Sequence, residues 1–120
     1  MNDKLEKAVD AIMRKTESGT IEWKRMEDYS TQNPFYKKYL LDNYMTFDMV
    51  NNYMAPYNDG YIYFTNQTDE EYREIAIQPN ENSNITVLST GRSQKLKTLE
   101  EIIKNELDNP DDFINSLLEG

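Results

Sequence analysis

YMTFDMVNNYMAPYNDGYIYF, residues 44–64, holds seven of the fourteen Phe, Trp and Tyr residues in this 120-residue chain, and its reading decides the fold. In residues 44–50, Met45, Phe47 and Met49 alternate with Tyr44, Thr46 and Asp48. Period two is the signature of a strand with one covered face. YIYFT at 61–65 repeats the alternation, with Ile62 and Phe64 against Tyr61 and Tyr63. Between these runs, Pro56 and Asn58-Asp59-Gly60 predict a turn whose glycine supplies a positive φ. The stretch therefore predicts paired strands with an aliphatic face and a tyrosine face.

Working outward, YREIAIQ (72–78) sets Ile75 and Ile77 against Tyr72, Glu74 and Ala76, and ITVLST (85–90) follows a polar loop. On the N-terminal side, TIEWKRM (20–26) puts Ile21 and Trp23 on one face and Glu22 and Lys24 on the other. Residues 28–43, broken at Asn33-Pro34, read as a loop with a short ordered piece. Helical spacing appears at both ends of the chain. Leu5, Ala8, Val9, Ile12 and Met13 recur at i, i+3, i+4 and i+7, which predicts a helix over about 3–17, capped by Asn2 or Asp3 and ended at Gly19. Leu96, Leu99, Ile102, Ile103 and Leu107 predict a second, with Thr98 and Glu101 spaced as a capping box. Asn109-Pro110 opens a third, carrying Phe113, Leu117 and Leu118. The expected fold is one α+β domain over residues 1–120. An antiparallel sheet of about five strands has one face covered by helices from both ends of the chain. Phe47, Met49, Ile62, Phe64, Ile75 and Ile77 are its expected core, and Tyr44, Tyr61, Tyr63 and Tyr72 its open face.

Composition narrows the function classes. The chain has no histidine and no cysteine, which removes the commonest general base, thiolate nucleophiles, thiolate zinc sites and disulfides. No apolar run approaches the roughly 18 residues of a membrane span, and residues 1–15 form a charged amphipathic pattern without a signal-peptide hydrophobic region. A cytoplasmic protein is expected. The net charge is −9, and residues 100–120 carry seven acids against the single Lys104. That balance disfavours direct nucleic-acid binding, which rests on Lys and Arg neutralising phosphates, and favours a basic protein partner.

Two acidic clusters invite a chemical reading. Asp69, Glu70, Glu71 and Glu74 could hold a divalent cation or act as an acid/base pair, the chemistry of a carboxylate-metal hydrolase, but TNQTDEEYRE lacks the turning glycine of a calcium loop. DNPDD at 108–112 is accounted for by capping and the helix dipole. No catalytic residue, metal or cofactor is expected. Tyr44, Tyr61, Tyr63 and Tyr72 with Asp69, Glu70, Glu71 and Glu74 form the expected partner-binding set, since tyrosine combines apolar area with a hydrogen-bonding tip. Cross-strand tyrosine pairing that merely stabilises the sheet is the alternative.

TESGTIEWKR after an amphipathic helix, a meander, and LEEIIKNELDNPDDFINSLL at the end resemble in layout small proteins of phages and mobile elements. By size and charge alone, the chain also resembles anti-CRISPR and other anti-defence inhibitors. That resemblance implies a stoichiometric inhibitor blocking a basic surface of a nucleic-acid-handling host protein, and carries no residue role across. An immunity protein or antitoxin neutralising a toxin would need the same acidic, non-catalytic surface.

Overall fold

The structure, a computed structural model, describes residues 3–26, 34–35, 52–66 and 72–119. Helix α1 (Asp3–Glu17) leads into a short strand β1 (Lys24–Arg25). Strands β2 (Tyr53–Tyr57), β3 (Gly60–Asn66), β4 (Arg73–Gln78) and β5 (Thr86–Gly91) follow, and helices α2 (Gln94–Leu107) and α3 (Asp111–Glu119) close the chain. The five strands form one antiparallel sheet in sequence order. This is the α+β layout expected.

One strand sits elsewhere than expected. Residues 44–50, with Phe47 and Met49, lie outside the described residues, and the strand beside β3 is Tyr53–Tyr57, within the stretch read as a connection. Proline is tolerated there because β1 pairs only with Tyr53 and Met54, so among the described residues Pro56 has no ladder partner on the β1 side that needs an N–H. The turn that follows has only Asn58 and Asp59 between the paired Tyr57 and Gly60. Asn58 takes the left-handed conformation, at φ 52°, which asparagine tolerates better than most residues. Gly60 is not the positive-φ residue but the first residue of β3. It is glycine because a Cβ there would run into the backbone of Gln78 and Pro79.

The side chains alternate as the period-two pattern requires. Ile62 and Phe64 of β3, Ile75 of β4, and Tyr53 and Ala55 of β2 face α1 and α2, where they are buried with Val9, Ile12, Leu96, Leu99 and Ile103. Ile77 packs against this core at partial exposure. A bulge in β5 between the partners of Ile75 and Ala76 inserts Leu88, which joins the same core. Each such side chain contributes about 1.5–3 kcal/mol on burial.

Trp23 ties α1 to this layer. Its indole Nε1–H donates to Thr16 Oγ1 at 2.9 Å, and the Thr16 hydroxyl donates to the Ile12 carbonyl one turn back at 2.7 Å. The indole is 4% exposed, so the inward face expected for Ile21 and Trp23 is the face they occupy. Gly19, at φ 79°, ends α1 as the sequence predicts.

Two expectations fail at the C-terminal end. Helix α2 begins about one turn before the expected Thr98 cap, with Ser93 as N-cap accepting from Leu96 N–H at 3.3 Å. Thr98 lies inside the helix, its hydroxyl donating to the Gln94 carbonyl at 3.0 Å, so it caps nothing. Helix α3 does not cover the sheet.

Candidate functional site

Asn109 Oδ1 accepts from the Asp111 N–H at 2.9 Å, and Ile114 N–H reaches the Pro110 carbonyl, which starts α3 where the Asn-Pro pair predicts. Its DDFINSLLE sequence puts Phe113, Ile114, Leu117 and Leu118 on one stripe, since residues three and four apart are helix neighbours. All four face solvent. Their exposures are 70%, 44%, 66% and 80%, whereas Leu96, Leu99 and Ile103 of α2 are at 0%. An exposed apolar stripe bordered by polar residues is a candidate contact surface. Asp111 and Glu119 stand at its two ends, and the helix sequence has no basic residue.

The junction before α3 is fixed on one side. Asp108 is the C-cap of α2, its N–H bonded to the Lys104 carbonyl at 2.9 Å, and its carboxylate pairs with Arg25 of β1. Helix α2 is held to the sheet by Arg73, whose guanidinium meets Glu100 at 3.1 Å with both side chains largely buried; Lys104 lies 3.8 Å from the same carboxylate oxygen. Tyr53 lies close to this charged cluster. Burial raises its phenol pKa, the Glu100 carboxylate adds to the rise, Arg25 opposes it and Asp108 reinforces it. A salt bridge between Lys95 and Asp10, at 2.8 Å, joins α2 to α1. The body thus offers α3 a rigid base and no described side chain that covers it.

The residues expected to form the partner surface fare differently. Asp69, Glu70, Glu71 and Tyr44 lie outside the described residues. Tyr63 is at 0% exposure and donates its hydroxyl to Gln78 Oε1 at 2.6 Å, while Gln78 Nε2 donates to the Ser83 carbonyl at 3.2 Å. The second face of the sheet is closed around it, with Met26, Met54 and Ala76 also buried. The expected open tyrosine face is therefore not open at its centre, where Tyr63 and its cross-strand partner Ala76 are both buried. Tyr61 is half-buried against Phe35, with ring centroids 4.6 Å apart, and Tyr72 is half-buried.

Glu74 is half-buried between Thr65 and Thr90 on the neighbouring strands. Burial raises its pKa, and a hydrogen bond with the Thr90 side chain partly offsets the rise. It is a sheet residue held by its neighbours more than a carboxylate offered to a partner. No group of three or more Asp, Glu, His or Cys among the described residues could hold a metal ion. No helix among them is long and apolar enough to cross a membrane.

Sequence reasoning missed the exposed stripe although its signal was present. Phe113, Leu117 and Leu118 share the spacing of the buried α2 positions, and periodicity alone does not say whether a face is covered. No protein-family model, curated protein or solved structure matches this chain.

Proposed function

We propose that this chain is a non-catalytic protein-binding module that engages a basic partner through helix α3, and that it acts as a stoichiometric inhibitor by occupying a basic surface of a nucleic-acid-handling protein. The observation that carries the reading is the exposure of Phe113, Ile114, Leu117 and Leu118 on a helix whose only charges are acidic. An amphipathic helix laid into a groove is a common recognition mode, with apolar anchors supplying affinity and the charged border supplying specificity and association rate. A chain without histidine or cysteine suits a role that needs a surface and no reaction. A basic groove normally filled by nucleic acid would offer α3 both electrostatic attraction and apolar walls.

The test begins with capture from the native host and identification of the partner, followed by titration of the purified pair. Leu117→Asp with Leu118→Asp should weaken the complex at least about tenfold, the equivalent of 1.4 kcal/mol, while the melting temperature stays unchanged. Association should also slow as salt rises. Equal affinity of the double variant and the unaltered chain would refute α3 as the contact. Reversal of Asp69, Glu70 and Glu71 to Lys then shows whether that segment shares the interface.

A further inference from the structure

The chain carries a groove of the chemistry that α3 would seek. It is about 340 Å³ and lies between α1 and the end of the sheet where β2 turns into β3 and β4 ends. Ala8 and Ala11 of α1 line one wall, and Ile62, Ile77 and Leu88 line the floor. Lys15 and Tyr57 stand at its mouth, with the Lys15 ammonium 5.9 Å from the centre of the Tyr57 ring. On α1, Lys4, Ala8, Ala11 and Lys15 follow one another at spacings of four, three and four residues, so they lie on a single stripe. Two small side chains, which let another helix approach closely, are thus bracketed by two lysines. On α3 an apolar stripe is bracketed by Asp111 and Glu119.

We infer that helix α3 of a second copy of this chain seats in this groove, and that the exchange is reciprocal, giving a two-fold dimer. Charge selects this occupant. A helix with acidic ends and apolar middle meets a groove with apolar walls and Lys15 in its lining, and Lys15 offsets locally the repulsion between two chains of net charge −9. A two-fold pair makes every contact twice, so eight large apolar side chains leave water for one alignment. Asn109 and Pro110, beyond the Asp108 cap that pairs with Arg25, are the residues at which α3 can change direction while the body stays as it is. The inference rests on the reading of α3 as a docking helix. Self-association then competes with the partner for the same stripe.

The absence of native cysteine makes the test clean. Two single variants of the full chain, Ala11→Cys and Leu117→Cys, are mixed under mild oxidation. The covalent heterodimer should form several-fold above the level obtained when Ala11→Cys is mixed with Glu101→Cys, an exposed position of α2 that does not line the groove. Light scattering of the unaltered chain should give a dimer mass that Leu117→Asp with Leu118→Asp reduces to the monomer. A heterodimer at background level, or a monomer mass for the unaltered chain at all concentrations, overturns the inference. If the chain is monomeric and the double Asp variant still loses the captured partner, the groove assignment falls and the proposed function stands. If the crosslink forms and the partner binds the double variant as tightly as the unaltered chain, the dimer stands and the proposed function falls.

Discussion

Helices α2 and α3 are neighbours in sequence, separated by Asp108, Asn109 and Pro110, and both have an apolar stripe at helical spacing. One stripe is sealed and the other is open. Leu96, Leu99 and Ile103 of α2 are wholly buried under the sheet, and the helix is further held by Arg73 to Glu100 and Lys95 to Asp10. Phe113, Leu117 and Leu118 of α3 are 66–80% exposed, and only Asn109 and Pro110 organise its start. Apolar periodicity records that a face leaves water in some state of the protein. It does not record which molecule covers it. In α2 the cover is the chain's own sheet, whereas no described residue covers the stripe of α3.

The largest effect should come from the anchor that matches α1 to α2 as a fixed element. Trp23→Ala removes a buried indole and leaves the Thr16 hydroxyl without its donor, and should cost about 3–5 kcal/mol, enough to unfold a domain of ordinary stability. Chemical denaturation checks it; a Trp23→Ala chain with an unchanged midpoint would show that α1 is as loosely attached as α3.

The comparison is sharpest with the same substitution made in both helices. Leu99→Ala should cost about 2–5 kcal/mol, because it opens a cavity in close-packed core. Leu117→Ala should stay within about 0.5 kcal/mol, the usual range for surface positions. Parallel denaturant titrations of the two variants at a concentration that keeps the chain monomeric decide the matter. Similar losses in both would mean that α3 is packed on the body and would remove the basis for reading it as a contact helix.

Much of this contrast was legible in the sequence up to the point where solvent exposure had to be known. The limits of α1, the Gly19 stop, the inward Ile21 and Trp23, and the faces of β3 and β4 follow from local chemistry, because helix period, strand period and capping act within a few residues. What local chemistry leaves open is pairing and cover. Residues 53–57 look like a connection on account of Pro56, and only the shortness of β1 makes a proline admissible there. Gly60 carries the turn signal, yet its glycine is required by the backbone of β4, eighteen residues away in sequence. Tyr63 is chemically suited to an interface, but it is buried and its hydroxyl is taken up by Gln78 on the next strand. Each of these depends on a neighbour that the period of one segment cannot identify.

Removing caps gives a smaller effect and separates the helices again. Ser93→Ala takes an acceptor from a helix whose formation is coupled to the core, and should cost about 1 kcal/mol of global stability. Asn109→Ala removes the equivalent group from α3. There the loss should appear as faster amide exchange within residues 111–119 with no shift of the global transition, since a helix whose apolar stripe no described residue covers can fray alone. A global loss of similar size from Asn109→Ala would couple α3 to the body and close the gap between the two helices.

The smallest effect concerns the carboxylates, and it sets the sheet-borne Glu74 against those of α3. Burial raises the pKa of Glu74, so the fold prefers its protonated form. A group raised in this way contributes stability that is fully present below its unfolded pKa, near 4.5, and is lost as pH climbs through the higher folded value. Glu74→Gln should therefore raise the melting temperature slightly at pH 7, and the gain should disappear below about pH 4.5, where the native side chain is already neutral. Asp111→Asn, at an exposed position, should leave the melting temperature unaltered while slowing association with a basic partner. If Glu74→Gln were neutral for stability but slowed association, Glu74 would belong with the acidic border of α3, and the partner surface would extend across the sheet as the period-two reading first placed it.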